Sequence, residues 1–178
     1  MSKALDEYRQ EFERSTNRSM SLPIAGMIVW LGISVASILL PERSALLILL
    51  FGSGTIFPIG LMIAKLRHED LMSNQNPLAK LMGLCVLMVN LLWLVHIPLV
   101  MYAPQFVPLS VGIGLGLHWI VYGWIIRHPL GLIHAVGRSV LIVLVWFLFP
   151  EQRILMVSAV VVLMYLFTLY QMQTRRVV

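Results

Sequence analysis

The chain has 178 residues, of which 59% are hydrophobic and only 12% are charged. A soluble domain carries about 25% charged residues, so this composition excludes an ordinary soluble protein. The formal net charge is +5, and it is explained below by membrane topology. The single cysteine, Cys85, excludes an internal disulfide and a cysteine-rich metal site.

Residues 1–20 form an arm ahead of the first apolar run. Leu5, Tyr8 and Phe12 recur at helical spacing among acidic and basic residues. This stripe predicts a short amphipathic helix on the membrane surface or against a loop, and a partly disordered arm is the alternative. A signal peptide is excluded because the next apolar run has full length and no small-residue cleavage site.

Six apolar runs fill the rest of the chain. They cover residues 22–40, 45–66, 81–102, 106–126, 130–149 and 154–172. A helix that crosses a bilayer needs about 20 mostly apolar residues. The runs lack the period-two alternation of barrel strands. We therefore predict an all-α polytopic membrane protein, with residues 21–178 forming six transmembrane helices in three hairpins.

The basic residues predict the orientation. Eleven of the thirteen lysines and arginines fall on the side of the two termini, and only Arg43 and Arg153 fall on the other. Cytoplasmic loops carry the excess of Lys and Arg, so both termini are predicted to be cytoplasmic. The predicted partner is the lipid bilayer, whose anionic headgroups on that side meet these cations. No nucleic acid partner is needed to explain the charge.

Residues that weaken a helix lie in the middle of the second run. They are Gly52, Gly54, Pro58 and Gly60. One interpretation is a proline kink with close glycine packing. The alternative is a broken helix whose free backbone groups line a polar cavity, as in transporters.

Small residues also mark the fourth run. Gly112, Gly116 and Gly123 form a stripe on one helical face. Such a stripe predicts close packing on a neighbouring helix or on a second protomer of a homo-oligomer. The polar side chains of His118 and Tyr122 lie on nearly the opposite face.

Five polar side chains are predicted at membrane depth. They are Asn90, His118, Tyr122, His134 and Arg138. Arg138 lies about 12 Å inside its helix, one turn beyond His134 on the same face. Its guanidinium either snorkels to the headgroups or points into the bundle. There it would rest on Asn90, His118 and Tyr122, or bind an anion admitted from the cytoplasm. For His118 and Asn90 the plainer interpretation is interhelical hydrogen bonding.

Three blocks of the sequence resemble a known family. They are residues 21–26, 51–60 and 76–81, with a weaker likeness at residues 122–124. They are similar to blocks of a family of small bacterial membrane proteins of unknown function. The resemblance implies a protein of the bacterial cytoplasmic (inner) membrane and brings no activity, cofactor or site residues.

Three functions stay open on these residues. The first is a protein that binds or transports a small polar or anionic solute from the cytoplasmic side. The second is an enzyme that modifies lipid headgroups, and the third is an accessory or assembly subunit. The predicted spans hold no carboxylate pair for acid–base chemistry, and the chain has no metal-ligand spacing or phosphate-binding loop. We therefore predict no catalytic residue, metal or cofactor, which favours a protein that is not an enzyme.

Overall fold

The structure, a computed structural model, describes residues 3–71 and 75–175, and within these ranges the chain is helical and has no strand. Residues 1–2 of the predicted arm and residues 176–178 of the predicted membrane domain lie outside the described residues. The described helices are α1 (Lys3–Ser15), α2 (Ser21–Leu39), α3 (Glu42–Gly54), α4 (Ile56–Arg67), α5 (Pro77–Leu91), α6 (Trp93–Tyr102), α7 (Val107–Gly114), α8 (Trp119–Ile125), α9 (Leu130–Leu148) and α10 (Arg153–Thr174). This confirms the predicted all-α fold.

Several helices are long and apolar enough to cross a membrane. Five single stretches qualify, namely Asn17–Leu39, Pro77–Tyr102, Pro104–Ile125, Leu130–Leu148 and Pro150–Thr174. The pair α3 and α4 bends by 45° and makes a sixth if it is one span. Large apolar side chains also cover the outside of the bundle; Leu39, Leu94 and Phe147 are each at least 70% exposed. Soluble proteins rarely expose so much contiguous apolar surface, so the chain has the features of a membrane protein.

The core of the bundle forms where α2 packs against α10. The hydroxyl of Ser34 donates to the hydroxyl of Ser158 at 2.9 Å between these helices. A Cβ at Gly26 would lie 2.5 Å from Cζ of Tyr165, so only glycine permits this approach. On its other sides α2 contacts α3 and α4, and α10 contacts α7 and α9. The buried apolar side chains of α2 and α10 therefore hold the remaining helices around one core.

Three of the apolar runs are interrupted helices. The breaks fall at Thr55 between α3 and α4, at Leu92 between α5 and α6, and at residues 115–118 between α7 and α8. At the first break Pro58 has no N–H for the carbonyl of Gly54, and its ring clashes with that carbonyl in a straight helix. The bend thus lies inside the glycine- and proline-rich segment of the second run. Gly114 and Gly116 lie at the break in the fourth run, whereas no glycine or proline lies beside the break at Leu92; neither of these two breaks was predicted.

The break in the fourth run is a stretch of 3₁₀-type hydrogen bonds. The amide of Gly116 donates to the carbonyl of Ile113 at 2.8 Å, and the amide of Trp119 donates to Gly116 at 3.2 Å. Each bond spans three residues instead of four, which tightens the chain and turns α8 relative to α7. The carbonyl of Gly112 is left without its usual helical donor.

The arm is an ordered helix that lies across one end of the bundle, called the arm end below. Two guanidinium nitrogens of Arg175 donate to the two carboxylate oxygens of Glu13 at 2.7 and 2.8 Å. The side-chain amide of Asn76 donates to the carbonyl of Tyr8 at 2.7 Å. Helix α1 therefore packs against the bundle, which is one of the placements considered from the sequence.

The connection from α1 to α2 is a strained turn. Asn17, Arg18 and Ser19 have φ of 42°, 69° and 51°, the left-handed region that favours glycine. Such a conformation costs about 1–2 kcal/mol per residue. The turn is held because Arg18 donates to the carbonyl of Met172 at 3.0 Å and accepts from the hydroxyl of Tyr122 at 3.3 Å.

Candidate binding cleft

A cleft runs from the arm towards the middle of the bundle between α2, α4, α5 and α8. It consists of a cavity of about 200 Å³ under the arm and a second of about 80 Å³ deeper in the bundle. The two cavities share six wall residues: Leu22, Pro23, Phe57, Val86, His118 and Trp119. Because the walls are shared, we treat the cavities as one cleft.

All three helix breaks meet at the deeper part of this cleft. Its wall includes residues on both sides of the first two breaks, Gly54 with Ile56 and Asn90 with Trp93, and the first and last residues of the third, Leu115 and His118. Inside a membrane, backbone that lacks α-helical hydrogen bonds is tolerated where it is buried in protein or lines a cavity. The convergence of the breaks identifies the cleft as the candidate functional site.

Two buried nitrogens on the cleft wall lack hydrogen-bond partners among the described residues. They are Nδ1 of His118 and Nε1 of Trp119. Leaving a buried polar group unsatisfied costs about 1–3 kcal/mol. The indole nitrogen is a donor only, and the imidazole nitrogen donates or accepts according to its tautomer. Both residues line the cleft, which makes them the candidate hydrogen-bond donors to an acceptor bound there.

His134 lies directly behind Trp119. The two rings stack with centroids 4.4 Å apart and planes 26° apart. Nδ1 of His134 is 2.7 Å from the hydroxyl of Thr168, and its Nε2 is 3.5 Å from Nη1 of Arg138. Helix α10 thus orients the imidazole, and the imidazole supports the wall of the cleft.

Arg138 is fully buried and points into the bundle, so the snorkelling interpretation is wrong. Its Nε donates at 2.8 Å to the carbonyl of Gly112, the carbonyl that the break in the fourth run leaves free. A Cβ at Gly116 would lie 3.1 Å from Cδ of Arg138, so the glycine makes room for the side chain. The guanidinium carbon is 5.6 Å from the ring centroids of both Trp30 and Tyr165.

The buried charge of Arg138 has no acidic partner. Within residues 3–71 and 75–175 it forms no salt bridge, and its Nη2 has no hydrogen bond. Aromatic faces stabilise a desolvated cation by about 2 kcal/mol. The cluster behind the cleft therefore keeps an uncompensated positive charge.

The structure divides the five predicted polar residues into two groups. His118, Tyr122 and Asn90 line the cleft, whereas Arg138 and His134 lie one layer behind it. The side-chain amide of Asn90 donates to the carbonyl of Val86 in its own helix at 2.8 Å. Among the described residues the hydrogen bonds of Arg138 go to Gly112 and His134, so the predicted contacts with Asn90 and Tyr122 are absent.

The predicted glycines lie at close helix contacts within the chain. A Cβ at Gly112 would lie 2.9 Å from Val157, and one at Gly123 would lie 2.9 Å from Cα of Gly131. In the second run a Cβ at Gly60 would lie 2.4 Å from Leu22, and one at Gly54 would lie 3.2 Å from Trp93. The glycine at position 52 has only ordinary contacts.

Trp119, Tyr165 and Gly131 are important to the cleft and were missed from the sequence. Trp119 and Tyr165 are aromatic residues in apolar runs, where most aromatic residues pack in a core or face lipid. The one available signal was the spacing of Tyr165 and Thr168, which places two hydroxyls on one face of the last run. Gly131 is one of two glycines in its run, with Gly137, and nothing in the sequence distinguishes the two.

Polar side chains cap helices at the arm end of the bundle. Glu69 accepts from the amides of Met20 and Ser21 at 3.3 and 3.1 Å and so caps α2. Nδ1 of His128 accepts from the amide of Leu130 at 3.2 Å and caps α9. Burial lowers the pKa of His128, and the charge of Arg175 acts in the same direction. The neutral imidazole that this cap requires is therefore favoured.

The ion pair between Arg175 and Glu13 also closes the arm end. Burial opposes the charge of Arg175, but its hydrogen bonds with Glu13 and the electrostatic contributions of Tyr122 and Glu13 outweigh that cost and raise the pKa of Arg175. Arg175 therefore stays protonated, and the ion pair holds the arm against the end of α10.

The chain belongs to the DUF7010 family, a family of unknown function whose model matches residues 5–175. This confirms the predicted membership of an uncharacterised family. No curated protein and no solved structure matches the chain. Among the described residues no three His, Cys, Asp or Glu side chains could hold a metal ion. The proposed function therefore depends on the geometry of the cleft.

Proposed function

We propose that this member of a family of unknown function binds a small polar or anionic solute in its intramembrane cleft and carries it through the membrane. The polar group of the solute would accept hydrogen bonds from His118 and Trp119. The observation that supports this most strongly is the meeting of three helix breaks at one cleft that holds two unpartnered buried nitrogens. Broken helices around a midplane site are typical of secondary transporters.

The charge behind the deeper cavity favours an anionic group on an apolar body there, and the one acidic residue among the described residues of the cleft wall, Asp70, lines only the shallower cavity under the arm. The uncompensated charge of Arg138 lies behind Trp119 and raises the positive potential at the wall. Most other wall residues are apolar, among them Leu22, Phe57 and Val86. A small monocarboxylate with an alkyl chain has this combination.

We place the protein in the bacterial cytoplasmic membrane with the arm end in the cytoplasm. The excess of lysines and arginines on that side supports this orientation, and anionic lipid headgroups are the expected partners there. The glycine stripe of the fourth run packs within the chain and gives no support to a homo-oligomer.

An enzyme that modifies lipid headgroups has less support. That hypothesis needs Arg138 and His134 to hold a headgroup phosphate, and neither residue lines the cleft. The accessory-subunit hypothesis predicts that the polar residues of the cleft serve only stability, and the experiment below separates it from solute binding.

The test measures octanoate binding to the purified protein by calorimetry. We expect His118→Leu and Trp119→Phe each to weaken binding by at least about tenfold, or 1.4 kcal/mol. The melting temperature should change little in His118→Leu, because Nδ1 of His118 has no hydrogen bond to lose, whereas Trp119→Phe removes buried ring area and should lower it.

The matched control is Trp146→Phe, remote from the cleft. Nε1 of Trp146 donates to the carbonyl of Gln105 at 2.8 Å, so this variant should lose stability and keep its affinity for octanoate. Equal binding by all variants, or no binding of octanoate, would overturn the proposal. Loss of stability without loss of binding in His118→Leu would favour the accessory subunit.

A further inference from the structure

The cleft has a side wall made by two helices that belong to different parts of the bundle. The principal contacts of α4 are with α2 and α3, and those of α5 are with α1, α6 and α8. Phe57 of α4 and Gly83 of α5 both line the cleft. The two helices therefore stand on either side of a gap.

Cleft residues on this side are exposed. Phe57 is 40% exposed, and Gly83 and Asn90 are also exposed although all three line the cleft. A Cβ at Gly83 would meet nothing within 4 Å. The cleft is therefore open along the gap between α4 and α5, at the level where the helices are apolar.

The opposite is true at the arm end. Phe12 and Thr16 of the arm segment line the cleft and are each 3% exposed. The ion pair of Glu13 with Arg175 holds α1 in this position. The arm thus covers the cleft on this side, whereas the side between α4 and α5 is open.

From this asymmetry we propose that the ligand of the cleft is a fatty-acid-like single-chain carboxylate that enters sideways from the bilayer between α4 and α5. This inference rests on the proposed function of the same cleft. The carboxylate takes the hydrogen bonds of His118 and Trp119 beside the charge of Arg138. The alkyl chain passes Phe57 and Gly83 and remains in hydrocarbon.

The energetics suit such a ligand. An alkyl chain that stays among lipid chains loses no apolar environment on binding. The carboxylate leaves the hydrated interface, and hydrogen bonds with the cleft together with the nearby charge of Arg138 must compensate that loss. When the carboxylate binds, Nδ1 of His118 and Nε1 of Trp119 gain a hydrogen-bond acceptor that they otherwise lack. Recognition is therefore concentrated at the head of the ligand, and the gap only has to be wide enough for one chain.

The experiment uses the full-length protein in phosphatidylcholine vesicles. The probe is palmitate with a photoactivatable diazirine midway along its chain, and crosslinked peptides are identified by mass spectrometry. We expect crosslinks concentrated in α4 and α5, with excess octanoate as a competitor. The substitution Gly83→Leu fills the gap and should reduce crosslinking by at least about fivefold.

The matched control is Gly32→Leu on α2. A Cβ at Gly32 also meets nothing within 4 Å, and the residue is exposed and does not line the cleft. Both changes remove a glycine from a helix interior, so both variants should fold. Crosslinking should be unchanged in Gly32→Leu.

The outcomes separate the two proposals. Crosslinking that is equal in both variants, with octanoate binding still dependent on His118, would overturn sideways entry and leave solute binding intact. In that case Glu13→Ala, which frees the arm, should speed octanoate binding from water. Absence of octanoate binding together with crosslinks spread evenly over lipid-facing residues would overturn both.

Discussion

The unbroken helices and the interrupted helices of this bundle differ in what their polar residues do for the cleft. In α2, α9 and α10 several buried polar side chains pair across helices, as Ser34 does with Ser158 and His134 with Thr168, although Nε1 of Trp30 and Nη2 of Arg138 have no partner among the described residues. Around the cleft, the interrupted helices leave His118 and Trp119 without partners for their side-chain nitrogens. Paired groups hold a structure together, whereas unpaired buried groups reduce its stability and are typical of ligand sites. The unbroken helices thus form the platform and the interrupted helices form the site.

The largest effect is expected from a substitution at the crossing of α8 and α9, and it tests this comparison directly. A Cβ at Gly131 would lie 2.2 Å from the carbonyl oxygen of Trp119 and 2.6 Å from Cα of Gly123. Because backbone cannot move aside cheaply, Gly131→Ala should cost about 3 kcal/mol or more, measured by chemical unfolding in detergent.

Two controls make that result specific. Gly137→Ala on the same helix meets only Met164 at 3.6 Å, and Gly83→Ala beside the cleft meets nothing within 4 Å. Both should be neutral or stabilising by up to about 1 kcal/mol, since alanine favours helices. Equal costs for Gly131 and Gly83 would contradict the contrast between a tight platform and an open site.

The next effect concerns the arm. Glu13→Ala removes one partner of a buried ion pair, and breaking such pairs costs about 3–5 kcal/mol. Here the cost should be about 2–3 kcal/mol, because Arg175 lies at the bundle end and can rehydrate. Hydrogen exchange should rise across residues 3–15 and remain unchanged in the platform.

The control for the arm is Glu7→Ala, at an exposed position of the same helix. It should leave the exchange of α1 as it is. Protection of residues 3–15 that survives Glu13→Ala would mean that contacts other than this ion pair hold the arm.

A smaller effect is expected inside the platform. Thr168→Val removes the hydroxyl beside Nδ1 of His134 and leaves that nitrogen unpaired. The expected loss of stability is about 1–2 kcal/mol, with Thr174→Val at an exposed position as the control. Octanoate binding should also weaken, because His134 supports the ring of Trp119. A stability loss with unchanged binding would show that the platform does not position the cleft wall.

The smallest expected effect is a pH dependence of stability that comes from His128 at the arm end. Burial lowers the pKa of His128 below its ordinary value of 6.5. Neutral His128 therefore contributes stability that is complete above pH 6.5 and is lost as the pH falls towards its lowered pKa. We expect the melting temperature of His128→Asn to fall less between pH 7 and about pH 5 than that of the unsubstituted protein. An unchanged slope would show that His128 does not contribute to it.

Much of the fold could be predicted from the sequence because it follows from apolar length. Each run of apolar residues became a helix or a pair of helices, and the bend at Thr55 follows from Pro58. The break at residues 115–118 could not be predicted, since it depends on a carbonyl that Arg138 satisfies from another helix. The docking of the arm depends on an ion pair between residues 162 positions apart.

The candidate site was predicted in part. His118 and Tyr122 stand out as polar residues in an apolar run, and both line the cleft. The direction of Arg138 was undecided because it depends on the missing side chain of Gly116 in a neighbouring helix. Trp119 was missed since its unpaired nitrogen is a property of the packing and leaves no mark on the sequence.

The hydrogen bond between Arg138 and Gly112 has a consequence for biogenesis. A lone arginine at the centre of a helix costs about 2.5–3.5 kcal/mol when that helix enters a membrane. The acceptor, the carbonyl of Gly112, belongs to the preceding apolar run and is synthesised 26 residues earlier. The acceptor is therefore already present when α9 is synthesised, and this hydrogen bond offsets part of the cost of the buried arginine.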